Sequence, residues 1–147
     1  MAEISGQERA ERSRDAMWNT DKASRWLGME CTRIAPGEAE ITMKVEPHHC
    51  NGHETCHGGV SYALADTAFA FACNSYNKIA VAQHNSITYI APGYEGDLLT
   101  AHAIERSKSG RSGIYDVSIT NQMGVLIAEF RGGSRIIHGQ HFDEENL

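Results

Sequence analysis

The chain changes its hydrophobic rhythm twice. From residue 29 to residue 46 apolar and polar positions alternate: the runs "MECTRIA" and "AEITMKVE" flank the turn residues "PGE". Ile41, Met43 and Val45 fall on one face, which predicts a β-hairpin with that face buried, ended by Pro47. A polar loop follows. Residues 57–76, "HGGVSYALADTAFAFACNSY", then carry small and apolar side chains almost all the way round, predicting one long helix buried on most sides. After it the alternation resumes in four runs, "IAVAQHNSITYIA", "LLTAHAIERS", "IYDVSITN" and "VLIAEFRGGSRII". The turn sequences "PGYEGD", "KSGRSG" and "QMG" separate them, and Gly132-Gly133 predicts a bulge or kink in the last strand.

Upstream of the hairpin, residues 7–27 have helical composition, with Ala16, Met17, Trp18, Ala23, Trp26 and Leu27 as apolar anchors. Asp21 is placed to cap a second short helix that stops at Gly28. The polar end "HGQHFDEENL" is expected to be disordered. Domain bounds follow: a helical segment over 1–28, one domain over 29–138, and a tail over 139–147. Short connections favour antiparallel pairing, and a helix that is apolar all round needs a sheet curled about it. The expected class is α+β, an antiparallel β-sheet wrapped around a long central α-helix.

At 147 residues, 41% hydrophobic and 22% charged, the chain reads as one globular domain. A net charge of −6 argues against a nucleic-acid partner, because neutralising phosphates needs a basic face. The N-terminus mixes acids and bases without an apolar core, so no secretory signal is expected. The weakly polar run from Gly58 to Ser75 holds Asp66, Thr67, Cys73 and Asn74, too polar for a membrane span. Cys31, Cys50, Cys56 and Cys73 then read as free thiols in a cytoplasmic protein.

Residues 48–59, "HHCNGHETCHGG", hold four histidines and two cysteines. The spacing fails the c-type haem pattern, and no second ligand pair follows for structural zinc. A single-loop metal site from His48, His49, Cys50, His53, Cys56 and His57 stays open beside a polar surface loop. His57-Gly58-Gly59 differs, because it opens the long helix. The first N–H groups of a helix lack internal partners and carry the positive end of its dipole, so they can stabilise an oxyanion on a carbonyl. Asp66 stands mid-helix, where it caps nothing and is costly to bury unpaired. Eight residues separate it from Gly58, about 12 Å along a helix. One carbonyl cannot touch both, so joint action requires Asp66 of one chain and Gly58 of another, and two composite sites per dimer.

The stretch "NGHETCHGGVSYALADTAFAFACN" resembles the central segment of hotdog-fold acyl-CoA thioesterases, specifically the PaaI type associated with phenylacetate degradation. The similarity runs from about Trp26 to Ile136 and includes "ITMKV", "APGYEGDLLTA" and "GIYDVSI". The resemblance implies hydrolysis of phenylacetyl-CoA or ring-hydroxylated forms to the free acid and coenzyme A. It implies Asp66 as general base or nucleophile, and the Gly58 N–H polarising the thioester carbonyl, with Gly59 and His57 beside it. Asn51 would position water or thioester, and Thr67 follows the acid as in many relatives. Where some relatives supply a serine this chain has Ala82 and Gln83, leaving Gln83, Asn85 and Ser86 as substitutes. For the coenzyme A phosphates the expected contacts are Lys108, Arg111, Ser112, Gly113 and Arg131. No metal and no cofactor beyond the coenzyme A of the substrate is expected, and the implied assembly is a homodimer or homotetramer. Two other classes stay open, a non-catalytic acyl-CoA-binding module and a metal-binding protein built on the His/Cys loop.

Overall fold

The computed structural model describes residues 3–147. Helices α1 (Gly6–Thr20) and α2 (Lys22–Trp26) precede strands β1 (Met29–Ala35) and β2 (Glu38–Lys44). The central helix α3 (Gly58–Cys73) follows, then β3 (Ala80–Tyr89), β4 (Leu98–Ser109), β5 (Ser112–Thr120) and β6 (Leu126–Ile136). The strands form one antiparallel sheet in the order β1-β2-β4-β5-β6-β3. The sheet curls about α3, which touches all six strands. This is the α+β arrangement that the change of period predicts, a sheet wrapped around one central helix, and it agrees with the hotdog fold that the resemblance implies.

Burial explains the wrap. Leu64, Ala65, Ala68, Phe69, Phe71 and Ala72 of α3 are buried, and so are Ile41, Met43 and Val45 of the hairpin. Phe69 lies between Tyr115 and Phe130, with ring centroids 5.7 and 5.8 Å away. Its ring also accounts for Gly132: a Cβ there would stand 2.7 Å from the Phe69 ring. The expected bulge in β6 is therefore displaced. The register of β3 against β6 shifts between Ala82 and His84, opposite Gly133 and Ser134, so the extra residue is Gln83 on the partner strand. Gly132 itself serves close packing of helix on sheet.

At the N-terminus Asp21 caps α2 as expected, accepting from the Ser24 N–H at 2.9 Å, and Gly28 ends the segment at φ +80°. Trp18 packs toward Phe71 at 6.3 Å, but Trp26, expected as an anchor, is 76% exposed. The short α2 turns that ring outward. The segment beyond residue 138, expected to be disordered, makes long-range contacts. Asn77, in the left-handed region at φ 58°, accepts from the His141 and Phe142 N–H groups and donates to the Phe142 carbonyl. Arg9 pairs with Glu144 at 2.6 Å. A polar segment reads as disordered when the partners that hold it lie some 65 residues away in sequence. Among the described residues no helix is long and apolar enough to cross a membrane.

Candidate active site

The loop entering α3 sends its donors to different places. His49 turns into the core, its Nδ1 accepting from the Glu46 N–H at 3.0 Å. Cys56 is buried and accepts from the Ser61 hydroxyl at 3.5 Å. His57 caps α3, its Nδ1 taking the Gly59 N–H at 2.8 Å. His48 and His53 face solvent. Among the described residues no three His, Cys, Asp or Glu side chains converge as metal ligands.

That cap divides the two glycines. The Gly59 N–H is spent on His57, whereas the Gly58 N–H is the first of the helix and has no acceptor among the described residues. The Tyr89 hydroxyl donates to the Gly58 carbonyl at 2.7 Å and lies 3.1 Å from where a Cβ on Gly58 would stand. Gly58 therefore opens onto a cleft of about 330 Å³ bounded by Thr55, Cys56, Ser61, Tyr89 and Pro92. Asn51 shapes this entrance: its Oδ1 accepts from the His53 and Thr55 N–H groups and from the Thr55 hydroxyl.

Asp66 lies two turns further along and is half-buried. Burial pushes its carboxyl pKa up, and the bond from Asn85 Nδ2 at 3.2 Å partly opposes that rise. The same Nδ2 donates to the Tyr62 hydroxyl at 3.0 Å, and the buried Asn85 Oδ1 has no partner. Asp66 borders a second cleft, about 290 Å³, walled by Met17, Leu27, Ala63, Ala70 and Phe71. Thr67 borders it too, with its hydroxyl donating to the Ala63 carbonyl at 2.7 Å. Gly58 and Asp66 thus open on separate clefts within one chain. Such a pair can supply an oxyanion donor and a base of raised pKa, but not to one carbonyl within one chain.

The expected phosphate contacts lie elsewhere. Lys108, Arg111, Ser112 and Gly113 surround a small recess beside Cys73, at the far end of α3, about 22 Å along the helix from Gly58. The Lys108 Nζ sits 3.5 Å over the Tyr76 ring. Arg131 is engaged by Asp116 through two bonds of 2.7 and 2.9 Å, and Arg106 joins the same carboxylate. The sequence pattern gave Tyr62 and Tyr89 no role and named Asn85 only as one substitute of three. The signal that separates them is period two: Asn85, Ile87 and Tyr89 alternate along β3, and Asn85 and Tyr89 reach back to α3.

Residues 53–128 match the Thioesterase superfamily. The chain is 44% identical over 124 residues to the acyl-coenzyme A thioesterase PaaI of Escherichia coli K12, covering 84% of this chain and 89% of that protein. The structure of the Escherichia coli PaaI protein, from the phenylacetic acid degradation operon, superposes with a TM-score of 0.91 at 41% identity, over 92% of this chain and 99% of that one. A hypothetical thioesterase protein with coenzyme A from Streptococcus pneumoniae TIGR4 superposes with a TM-score of 0.73 at 26% identity, over 77% of this chain and 90% of that one. Sequence, fold and the unspent N–H at the head of the central helix agree, and the chain belongs to the hotdog-fold thioesterase superfamily.

Proposed function

We propose that this protein hydrolyses aryl-acyl-CoA thioesters of the phenylacetyl type at sites composed from two copies of the chain. The observation that carries the reading is the pair of unsatisfied groups on α3. The Gly58 N–H has no acceptor among the described residues, and Asp66, mid-helix, has one donor and a raised pKa. The apolar walls beside Asp66 suit an aromatic acyl group, as does similarity to a protein from a phenylacetic acid degradation operon.

The two groups face different clefts, so Asp66 of one copy serves the thioester polarised by Gly58 of the other. Strand β3 ends the sheet with its outer backbone edge unpaired among the described residues, and it carries Asn85 and Tyr89. It is the natural seam for a dimer, because an unpaired strand edge is a template for another strand. Two such dimers would make the homotetramer. In the composite site the Gly58 N–H binds the carbonyl oxygen as it becomes an oxyanion. Asp66 either takes a proton from the attacking water or attacks the carbonyl carbon itself to give a mixed anhydride that water then opens. In both routes the tetrahedral intermediate expels the coenzyme A thiolate. Tyr89 holds the Gly58 peptide by its carbonyl, and Asn85 orients Asp66.

Neither route draws on a metal or further cofactor. Hydrolysis of phenylacetyl-CoA, its hydroxylated forms, benzoyl-CoA and aliphatic acyl-CoAs, followed by loss of thioester absorbance with and without chelator, tests this. Chelator-resistant turnover that favours aryl-acyl groups is the expected result; no turnover of any thioester would sink the reading. Single turnover in oxygen-18 water separates the two routes, since only direct attack leaves label in Asp66.

A further inference from the structure

Cys50 and Cys56 face each other across an isolated antiparallel bridge at the entrance to α3, and both are free thiols. The flanking bonds fix the kind of pair. The Asn51 N–H donates to the Thr55 carbonyl at 2.9 Å, and the His57 N–H donates to the His49 carbonyl at 2.8 Å. Bonds on both sides of the pair, and none within it, define a non-hydrogen-bonded pair. In that geometry the two Cα atoms approach to about 4.5 Å and both side chains leave the same face. A disulfide needs Cα atoms about 4.4–6.8 Å apart, so the backbone already stands within reach of one.

The geometry points to Cys50 and Cys56 as a dithiol that oxidises reversibly to a disulfide across the loop that holds Asn51 and leads into His57 and Gly58. Cys50 is partly exposed, with its Sγ near the Glu46 carbonyl, while Cys56 is buried against Ser61. A peroxide is the oxidant. The Cys50 thiolate attacks one peroxide oxygen and becomes a sulfenic acid, and the other oxygen leaves as water once protonated. The Cys56 sulfur then attacks the sulfenic sulfur and expels a second water. Two thiols lose two protons and two electrons, the peroxide gains them, and a dithiol reductant reverses the change. Burial raises both thiol pKa values, and Glu95 and Glu54 add to the rise at Cys50, so oxidation quickens as pH rises. Cys31 lies on β1 and Cys73 at the end of α3, so neither competes for this partner.

The disulfide draws Cys56 off Ser61, and His57 and Gly58 follow it directly in the chain. Under the thioesterase reading, on which this consequence alone rests, oxidation displaces the oxyanion donor and slows hydrolysis about tenfold or more, as small misplacements do. The test treats the full chain with hydrogen peroxide, maps peptides without reduction, and measures thioesterase activity before and after dithiothreitol. Expected are an intrachain Cys50–Cys56 link, loss of activity, recovery with reductant, and resistance of Cys50→Ser to the same treatment. Sulfinic acid at Cys50, or links between chains only, overturns the dithiol. A link that forms without changing turnover overturns the coupling. A link that forms in a protein with no thioesterase activity at any stage supports the dithiol and sinks the functional reading instead.

Discussion

The polar groups just beyond the C-terminal end of α3 and those between its first N–H and its middle are treated in opposite ways. At the C-terminal end Asn74, Ser75 and Asn77 are at most 3% exposed, and their polar atoms are engaged. Asn74 donates to the Ala70 and Ala80 carbonyls and accepts from the Ala80 N–H, with the His141 ring 2.7 Å from its Oδ1. Ser75 links the Ala72 carbonyl to the Gly37 N–H. At the N-terminal end the Gly58 N–H has no acceptor among the described residues, and Asp66, mid-helix, is half-buried with one weak donor. A buried polar group with all its partners holds structure together; one left short of partners costs stability and is available to a substrate. The contrast separates which polar groups on and just beyond α3 build the fold and which await a ligand.

The sharpest break of that contrast is Asp66→Asn. Loss of the base or nucleophile is expected to lower kcat by about 10²–10⁴-fold. The same variant should melt higher at neutral pH. The folded pKa of Asp66 is raised above its unfolded value, so its contribution to stability is full below the unfolded pKa and is lost as pH rises through the folded one. A neutral amide escapes that loss. Thermal melts at pH 7 and below pH 4 check the sign: the gain should vanish in acid. A gain that persists unchanged in acid would remove Asp66 ionisation as its cause.

Asn74→Ala should do the reverse. It strands the Ala80 N–H and the Ala80 carbonyl, while the Ala70 carbonyl keeps the backbone N–H of residue 74, at about 3 kcal/mol of stability for groups left unpaired in the interior. Denaturant unfolding should register that loss, while kcat/KM per folded molecule stays near wild type. Equal damage to both would mean that the two ends are not separable.

Much of this division was legible in the sequence, for physical reasons that differ by residue. Ile41, Met43 and Val45 declared a buried face because β-strands alternate. Asp66 declared itself because a lone acid in an apolar helix has no cheap explanation. Gly58 was legible only with the helix start. What escaped depends on contacts between distant segments. Gly132 reads as a bulge in one strand and is in fact room for the Phe69 ring. The tail reads as loose because its anchor, Asn77, lies far upstream. Tyr89 lies 31 residues from Gly58 in sequence, and only the fold brings its hydroxyl there.

A gentler change sharpens the open end. Asn85 is the donor that holds the Asp66 pKa down against burial. Asn85→Ala removes it, so the acid limb of the kcat/KM profile should move to higher pH, with a smaller loss near its alkaline plateau than Asp66→Asn causes. An unmoved limb would leave Asn85 as a bystander and assign the limb to another group.

The smallest effect tests whether the closed end is only structural. Lys108 and Arg111 sit there, and Lys108 spends its charge over the Tyr76 ring. A phosphate of coenzyme A could reach them in an assembly that sets the closed end of one chain beside the open end of another. An exposed charge pair is worth about 0.2–1 kcal/mol, so Lys108→Ala should raise KM for an acyl-CoA roughly threefold. The same acyl group on pantetheine, which lacks the nucleotide phosphates, should show no change. A rise for both substrates would trace to the loosened Tyr76 packing rather than to phosphate. A rise for neither would confine substrate recognition to the clefts beside Gly58 and Asp66 and leave the C-terminal end of α3 to the fold alone.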